Sequence, residues 1–365
     1  MNLVILQDYL RNGGTERQSL FLAEYFQGLG WEVRLLVFRP GGRLAGEVAR
    51  RNLAMTVLQS RDTGLPLYAP RLGATLRGMN PDLVLCMGRT ANCYAGFLQR
   101  RYPELRIIGT VRTGKRLLPM QTWAMRRVRA VMVNSSWWKR RLLKRGYDPE
   151  NIHVVRNALL LHVDAEQQLA ARKHLREQRG VSEETCLFLS VATFRPGKRH
   201  LDLIRYFAEL RGDGEEIPWQ LWLVGEGQHL VRCKKLARSL GMEDRVVFWG
   251  YQHDPLPFYG AADVAVSASR EDSLPNFLIE AQAAGLPTIA YHFRGVRECC
   301  RPGESGLIIP EGDSVAFVAA LRRLLRDSVL RRRMGEQGPV LARERFSQEP
   351  QAERMRRFLQ RIARR

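Results

Sequence analysis

Long apolar runs, secretion signals and paired cysteines are all missing from this sequence. No stretch of about 18 apolar residues occurs, so no membrane-spanning helix is predicted. The first ten residues, MNLVILQDYL, lack the basic region and the small-residue cleavage site of a signal peptide. The six cysteines have neither metal-ligand nor disulfide spacing. These absences favour a protein of the reducing cytoplasm.

Acidic residues are also scarce, above all in one segment. The chain has 58 Lys and Arg against 37 Asp and Glu, which gives a formal net charge of +21. Between residues 100 and 145 there are 14 basic residues and one acidic residue, Glu104. A block of this kind attracts an anionic partner, such as nucleic acid, anionic lipid or a phosphorylated substrate.

Short apolar runs alternate with helix-like stretches along the whole chain. This alternation is typical of βαβ units, and 365 residues exceed what one core usually supports. We therefore predict an α/β fold of two doubly wound, Rossmann-like domains, with the polar segment 162–184 as a connection plus an amphipathic stretch. The predicted strands are 3–6, 32–38, 83–87, 107–111, 130–133 and 152–155 in the first domain, and 187–192, 220–224, 246–249, 264–268 and 288–291 in the second.

Residues 261–290, AADVAVSASREDSLPNFLIEAQAAGLPTIA, combine an apolar strand, an acidic turn and a helix. The turn carries Glu271 and Asp272, Pro275 and Asn276 open the helix, and Glu280 lies further along it. A helix amino terminus favours phosphate, because its N–H groups are unpaired and its dipole is positive there. Carboxylates accept hydrogen bonds from sugar hydroxyls. The segment therefore predicts a nucleotide-sugar site.

The same segment resembles the acidic-x7-Glu motif of retaining glycosyltransferases with the two-domain GT-B fold. More narrowly it resembles family 4, which often reads E-G-x-P-N-x-x-x-E-A here. Asp272 stands at the first acidic position with Glu271 directly before it, and either could contact the transferred sugar. The resemblance implies that Glu280 holds the ribose hydroxyls, and that backbone near Leu274, Pro275 and Asn276 faces phosphate or sugar.

The resemblance also implies a domain plan in which two Rossmann-like domains face a central cleft. The expected bounds are 1–165 for an acceptor domain and 166–345 for a nucleotide-sugar domain. Residues 346–365 would form a helix that crosses back to the first domain. In that helix Met355, Phe358, Leu359 and Ile362 share one face, because they follow the i, i+3, i+4, i+7 spacing.

Two loops resemble the phosphate-binding loops of the family. RNGGTER, at 11–17, is similar to its G-G-x-E-R loop, which implies that Gly14 contacts the donor and Gly13 the acceptor. LSVATFRPGKRH, at 189–200, is similar to G-R-x-x-P-x-K. Lys198 matches the lysine, and Arg195 is a candidate substitute for the family arginine, whose position Thr193 occupies. Both cations are predicted to bind the diphosphate and stabilise the leaving group.

Two strand ends, LWLVGEG at 221–227 and VVFWGY at 246–251, resemble the family's nucleotide-contacting segments. Gly225 and the backbone of Trp249 and Tyr251 are predicted to lie against the nucleotide. Arg112 ends IIGTVRT, where family members often have histidine. An arginine cannot act as a base at neutral pH, so Arg112 is predicted to bind the acceptor or a phosphate. No histidine base is assigned, since the departing phosphate can itself take the acceptor proton.

The segment VNSSWWKRRLLKR, at 133–145, places Trp137 and Trp138 beside a group of cations. Tryptophan and basic residues together are typical of a membrane interface with anionic lipids. The segment therefore predicts contact with an anionic membrane surface. The alternative is a solvated basic helix whose tryptophans are buried.

The resemblance implies a retaining glycosyltransferase, a hexosyltransferase or a similar enzyme, that needs no cofactor. No metal is expected, since no Asp-x-Asp metal site is present. The enzyme would transfer sugar from a nucleotide-sugar to a lipid-linked or phosphorylated glycan, as in lipopolysaccharide core or capsule assembly, while bound peripherally to the cytoplasmic face of the inner membrane. The alternatives are another GT-B enzyme, such as a nucleotide-sugar epimerase or a phosphorylase, and a non-specific anion- or nucleic-acid-binding protein. No specific nucleic-acid partner is predicted.

Overall fold

The computed structural model describes residues 1–212 and 217–364. Strands and helices alternate along these residues. The strands are β1 Asn2–Gln7, β2 Glu32–Val37, β3 Ala54–Val57, β4 Leu83–Cys86, β5 Ile107–Val111, β6 Ala130–Val133, β7 Ile152–Val154, β8 Cys186–Val191, β9 Trp219–Val224, β10 Val246–Gly250, β11 Val264–Ser267, β12 Thr288–Tyr291 and β13 Gly306–Ile309. The helices are α1 Gly14–Gly28, α2 Ala45–Arg50, α3 Leu72–Met79, α4 Arg89–Arg101, α5 Pro119–Met125, α6 Ser136–Leu143, α7 Ala165–Gln178, α8 His200–Gly212, α9 Leu230–Ser239, α10 Leu256–Ala261, α11 Asn276–Ala283, α12 Val296–Cys299, α13 Ser314–Arg326, α14 Ser328–Phe346 and α15 Gln348–Arg364.

The chain divides into two compact units. Unit 1 comprises Met1–Leu160 and Gln348–Arg365, and unit 2 comprises Leu161–Ser347. Each unit contains a parallel sheet: the first has the order β3-β2-β1-β4-β5-β6-β7 and the second β10-β9-β8-β11-β12-β13. In both, the strand order reverses beside the first strand, as in Rossmann sheets. The described residues therefore form two Rossmann-like sheets, as predicted.

Side chains of the first sheet alternate between two apolar layers. Leu3 and Ile5 belong to a buried cluster that includes residues of α1 and α15. Val4 and Leu6 belong to a second cluster, which includes residues of α3 to α6. Since successive strand residues point to opposite faces, α1 and α15 cover one face of the sheet and α3 to α6 the other.

Helix α15 is held in unit 1 by its apolar face. Met355, Phe358, Leu359 and Ile362 are at most 4% exposed and pack with residues of β1, β2 and α1. The helical spacing of these four residues places them on one side, which explains why a helix so rich in arginine has a buried face.

The eleven predicted strands are confirmed, each to within one residue at either end. Two strands were not predicted, and both give weak signals. β3 is a four-residue edge strand whose Ala54 and Met55 are exposed, and β13 begins with a glycine, so neither forms a long apolar run. Among the described residues, no helix is sufficiently long and apolar to cross a membrane.

The polar segment between the predicted domains contains α7, which is an integral part of unit 2. Arg176 is 2% exposed and donates to the carbonyl oxygen of Ala261 at 3.0 Å. Its Nη2 also lies 2.6 Å from Oδ2 of Asp263. These contacts join α7 to the residues on either side of the turn between α10 and β11, which makes α7 part of unit 2.

Candidate active site

The candidate site lies in unit 2, at the carboxyl end of its sheet. β8 is flanked by β9 on one side and β11 on the other, so the strand order reverses at this point. The loop after β8 carries Arg195 and Lys198, and the loop after β11 carries Glu271 and Asp272. Ligands of doubly wound sheets bind where strand order reverses. The fold therefore brings two segments, separated by 74 positions along the chain, to one place.

Lys198 and Asp272 form a buried ion pair between these loops. Nζ of Lys198 donates to both carboxylate oxygens of Asp272, at 2.8 Å and 2.7 Å. The two side chains are 16% and 11% exposed. Burial raises the pKa of Asp272, but the charge and hydrogen bond of Lys198, with the help of Arg195, outweigh it and hold this pKa below its ordinary value. Asp272 is therefore a carboxylate at neutral pH.

Arg195 lies at the edge of the same pair. Its guanidinium is 4.0 Å from Oδ1 of Asp272, and its side chain is 36% exposed. Glu271 is half-buried, with its carboxylate against Gly197 of the turn Pro196–Lys198. The structure thus places all four predicted catalytic side chains around one short turn.

The carbonyl oxygen of Gly197 holds the two loops together. It accepts a hydrogen bond from the backbone N–H of Arg270 at 3.0 Å and one from the hydroxyl of Ser269 at 3.2 Å. The loop that carries Asp272 is therefore fixed against the turn that carries Lys198 by backbone as well as by charge.

The loop after β9 lies so close to the backbone of the loop after β8 that two of its positions require glycine. Gly225 and Gly227 have φ of 137° and 150°, a region that side chains disfavour. A Cβ at Gly225 would lie 2.2 Å from the carbonyl oxygen of Ala192, and one at Gly227 would lie 2.4 Å from that of Phe194. The predicted Gly225 therefore borders the β8 loop that leads to Lys198.

Helix α11 carries the second carboxylate of the motif. Its N-cap is Pro275, which provides no side-chain acceptor for the first helical N–H groups. Glu280 is half-buried, and its Oε2 accepts a hydrogen bond from the hydroxyl of Tyr259 at 2.5 Å. Leu274 and Asn276 flank Pro275 directly, so all three predicted backbone positions lie where β11's loop enters α11.

The rings at the end of β10 pack inward. Trp249 contacts Trp222 and Phe258 at centroid distances of 4.8 Å and 5.0 Å, and the guanidinium of Arg179 lies over it at 4.4 Å. Its carbonyl oxygen accepts from Nε2 of Gln252 at 2.9 Å. The predicted nucleotide contact through backbone rather than through the ring is compatible with this packing.

The remaining predicted residues lie in unit 1. Gly13 is the N-cap of α1, and Gly14 is its first residue. Arg112 follows the end of β5 and donates from Nη2 to Oδ1 of Asn157 at 2.6 Å, while its Nε is buried without a partner. Burial lowers the pKa of Arg112 to about 10. No carboxylate pairs with it in the part of the chain that the structure describes.

The prediction that both tryptophans of 133–145 face a membrane is wrong for Trp138. This residue is 3% exposed, and its Nε1 donates to the carbonyl oxygen of Thr113 at 2.8 Å. Trp137 is half-buried and packs edge-on against Trp138. Trp138 points inward because it packs with Leu142, four residues further along the same helix, in a buried cluster of unit 1.

Three residues of the site were missed by sequence reasoning. Tyr259 binds Glu280 from another helix, and Ser269 binds the Gly197 carbonyl. His200, at the start of α8, stacks on Phe194 at 4.1 Å and is 3% exposed. Burial, assisted by the charge of Lys198, lowers the pKa of His200 to about 3. Only its position two residues after Lys198 could have indicated His200.

No metal-binding cluster is found in residues 1–212 and 217–364: no group of three or more His, Cys, Asp or Glu side chains is arranged to hold an ion. The absence of a metal requirement remains a prediction.

The sequence matches two families of known proteins. Residues 171–340 match the family described as "Glycosyl transferases group 1", and residues 12–160 match "Glycosyltransferase Family 4". Between them these matches span most of both units.

Curated relatives match parts of the chain. The lipopolysaccharide core biosynthesis glycosyltransferase LpsE of Rhizobium meliloti is 37% identical over 129 residues, which are 35% of this chain and 38% of that protein. N-acetyl-alpha-D-glucosaminyl L-malate synthase of Bacillus anthracis is 30% identical over 175 residues, 48% of this chain and 45% of that protein. The matches thus span less than half the length of these relatives.

Solved structures share the fold over nearly the whole chain. HepE of Anabaena in complex with UDP superposes with a TM-score of 0.84 over 99% of this chain and all of its own, at 17% identity. The lipopolysaccharide outer core galactosyltransferase WaaB, in its apo form, gives a TM-score of 0.72 over 98% of both chains, at 19% identity.

Proposed function

Because this chain belongs to the group 1 glycosyltransferases with the GT-B fold, we propose that it transfers a sugar from a nucleotide-sugar to a lipid-linked or phosphorylated glycan. The transfer retains the configuration of the anomeric carbon and needs neither metal nor cofactor. Lipopolysaccharide core or capsule assembly, at the cytoplasmic face of the inner membrane, is the setting we propose.

The observation that carries this proposal is the buried Lys198–Asp272 pair at the strand-order reversal of unit 2. The lysine of such an ion pair can also bind the diphosphate of a nucleotide-sugar, and its carboxylate can bind the sugar hydroxyls. The donor diphosphate provides a new anionic partner for Lys198 and Arg195, and sugar hydroxyls provide donors for Asp272 or Glu271. The pair is thus a site in which both charges are already desolvated before the ligand binds.

The remaining contacts follow from the same geometry. N–H groups at the start of α11 face an anion favourably, because the helix dipole is positive there and Pro275 provides no side-chain acceptor. Glu280 binds the ribose hydroxyls, with Tyr259 holding one carboxylate oxygen in place. Backbone at Gly225, Trp249 and Tyr251 borders the base.

In the transfer step, the acceptor oxygen bonds to the anomeric carbon while the bond from that carbon to the diphosphate oxygen breaks. The departing phosphate takes the acceptor proton, so the step needs no histidine base. Lys198 and Arg195 stabilise the negative charge that develops on the leaving group. Preformed cations in a buried site are effective here, because they need no reorganisation as the charge appears.

Acceptor binding is proposed for unit 1, at Gly13 and Arg112. Arg112 is held by a neutral amide and has a buried Nε without a partner. A cation in this state is poorly compensated, so an anionic group on the acceptor would stabilise it. This favours an acceptor that carries phosphate or carboxylate.

A panel of nucleotide-sugars tests the donor assignment. We expect one nucleotide class to raise the melting temperature of the chain, since a ligand that binds only the folded state stabilises it. Glu280→Gln should weaken this binding about tenfold or more, because the amide has lost the negative charge and one of the two acceptor oxygens of the carboxylate. Glu336→Gln, an exposed residue of α14, is the matched control. A chain that no sugar nucleotide stabilises, or an unchanged affinity in Glu280→Gln, would contradict the proposal.

A further inference from the structure

A groove runs along the edge of the unit 1 sheet, and none of the residues proposed to bind substrate lines it. Its centre is β7, the last strand of the sheet, which α6 flanks on one face and α15 on the other. The groove has a volume of about 400 Å³. Its cationic lining residues are Lys139 of α6 and Arg354, Arg357 and Arg361 of α15. We call it the β7 groove.

The cations of the β7 groove exceed the carboxylates near them. In residues 1–212 and 217–364, neither Lys139 nor Arg354 pairs with a carboxylate. Arg357 shares Glu353 with Arg356, at 2.8 Å and 2.6 Å. The groove therefore keeps a net positive charge after its one internal ion-pair network is counted.

The fourth cation contacts an imidazole. Nη2 of Arg361 lies 2.8 Å from Nδ1 of His153, and the His153 ring packs on Phe358 at 4.7 Å. The guanidinium can therefore donate to His153 from one edge and still present its other N–H groups outward. His153 acts here as a support that fixes the direction of Arg361.

The floor of the groove is apolar. Ile152, Val155 and Phe358 line it and are at most 5% exposed. A cleft with low-dielectric walls and charges of one sign focuses the electric field into its opening. An anion in the β7 groove is therefore attracted more strongly than one beside the same cations on a flat surface.

Exposed cations continue beyond the groove on both helices. Arg140 and Arg141 are exposed on α6, and Arg364 continues the row on α15. α6 contains no acidic residue, and the acids of α15 are Glu349 and Glu353. Cations spread over two helices suit an array of phosphates better than one small anion.

We propose that the β7 groove and the cations beside it bind the phosphate headgroups of an anionic phospholipid surface. This inference rests on the proposed membrane association of the chain, and not on its transfer chemistry. It replaces the predicted role of Trp138, which is buried, by a surface of exposed cations. Lys139 and Arg354 provide the unpaired charges at the centre of this surface.

The competing explanation is that these cations only protect an edge strand. Charged side chains beside an exposed strand edge prevent pairing with another chain. Protection does not depend on the sign of the charge, whereas lipid binding does. Charge reversal therefore separates the two explanations.

The test measures co-flotation of the full chain with phosphatidylcholine vesicles that contain about 30% phosphatidylglycerol, which gives them a moderately anionic surface. Each basic residue near such a surface contributes roughly fivefold to partitioning, so Lys139→Gln with Arg354→Gln should lower it about 25-fold. Lys139→Glu with Arg354→Glu should lower it further and leave the oligomeric state of the chain unchanged. Arg332→Gln with Arg333→Gln, two exposed arginines of α14, is the matched control and should change it less than about twofold.

The outcomes distinguish the sources of the phosphate and the two proposals. The inference is overturned if the Arg332→Gln, Arg333→Gln control loses as much vesicle binding as the Lys139→Gln, Arg354→Gln variant. It is also overturned if the Lys139→Gln, Arg354→Gln variant (the groove pair) loses none. If the groove pair loses affinity for inorganic phosphate but not for vesicles, the groove serves a soluble anion, and the inference is again wrong. A wild-type chain that binds no vesicles removes the membrane association itself. Nucleotide binding, measured separately on each variant, should be unchanged, so the donor proposal stands or falls independently.

Discussion

In both sheets of this chain the strand order reverses beside the first strand, yet the carboxylate that lies near this reversal has a different partner in each unit. In unit 1, the acid after β1 is Asp8, which accepts from the backbone N–H groups of Thr90 and Ala91 at 2.8 Å each. In unit 2, the acid after β11 is Asp272, which is paired with Lys198. One carboxylate is bound by the backbone of its own fold, and the other by a side chain that a ligand can compete for.

This difference determines which helix amino terminus can receive an anion. Asp8 occupies the start of α4, so a phosphate there would meet a carboxylate. The corresponding helix of unit 2 is α11, and its N-cap, Pro275, has no acceptor in its side chain. We infer that the same topology gives one helix start that a carboxylate closes and one without such a carboxylate.

The two units also differ in net charge. Most of the basic excess lies in the first half of the chain, including the segment 100–145 with 14 basic residues and one acid. Unit 1 also holds Arg112, with which no carboxylate pairs among the residues that the structure describes. We infer that unit 2 provides balanced charges for a donor, whereas unit 1 provides excess cations for an anionic acceptor and an anionic surface.

Lys198→Met should lower activity more than any other variant proposed here, since it removes the cation that pairs with Asp272. We expect kcat to fall about 10²- to 10³-fold, as when one preformed stabilising group of a transition state is removed. The measurement is transfer from the nucleotide-sugar identified by the donor panel. Lys235→Met, an exposed lysine of α9, is the control and should keep its activity.

Loss of stability must be separated from loss of function in that variant. Lys198→Met leaves Asp272 buried without its partner, which is destabilising by about 3–5 kcal/mol for a buried pair. Lys198→Met with Asp272→Asn should recover most of this free energy but none of the activity. Recovery of activity in the double variant would show that the pair is structural only.

Arg112→Gln tests whether unit 1 binds an anionic acceptor through this arginine. We expect kcat/KM for an anionic acceptor to fall about 30-fold, since a charge-assisted hydrogen bond contributes roughly 1.5–3 kcal/mol. Donor binding and donor hydrolysis should be unchanged. Stability should not fall, because a poorly compensated cation is removed. Arg100→Gln, on the exposed end of α4, is the control, and an equal loss with a neutral acceptor would contradict the assignment.

The sequence predicted the positions of these groups better than their partners. Eleven strands and the loops after them follow from apolar runs, and strand ends of a parallel sheet converge, so Lys198 and Asp272 could be placed together. Their roles remain predictions. The contact between Tyr259 and Glu280 joins two helices 21 residues apart, and no local pattern indicates it.

The sequence also did not predict which side chains of a short helix are buried. Trp137 and Trp138 have identical side chains, and their order along α6 alone decides which one is buried. A helix of eight residues gives too few turns for its periodicity to identify the inner face. The predicted membrane surface remains a prediction, and only the part assigned to Trp138 is excluded by its burial. The cations of α15 could not be added to it from the sequence, because they join those of α6 only in the folded chain.

Asp8→Ala tests whether the acid of unit 1 is structural. It leaves the N–H groups of Thr90 and Ala91 without their acceptor, which should lower the free energy of unfolding by about 1.5 kcal/mol. Nucleotide affinity should be unchanged, in contrast to variants of Asp272. Asp62→Ala, an exposed loop acid paired with Arg39, provides a control with a smaller expected effect. A large loss of nucleotide affinity would show that Asp8 belongs to the binding site.

The smallest expected effect concerns pH and the loop of Lys198. His200 has a pKa of about 3 in the fold, below the value of about 6.5 for an unfolded chain. Above pH 6.5 neither state binds the proton, and below it only the unfolded state does, so stability falls as the pH is lowered. Between pH 6.5 and pH 5.5 this amounts to about 1 kcal/mol. In urea unfolding at these two pH values, His200→Gln should lose about 1 kcal/mol less than the wild type, whereas the exposed His174→Gln should match it. An identical loss in all three chains would show that His200 is not held neutral, and that the loop carrying Lys198 does not depend on a buried uncharged imidazole.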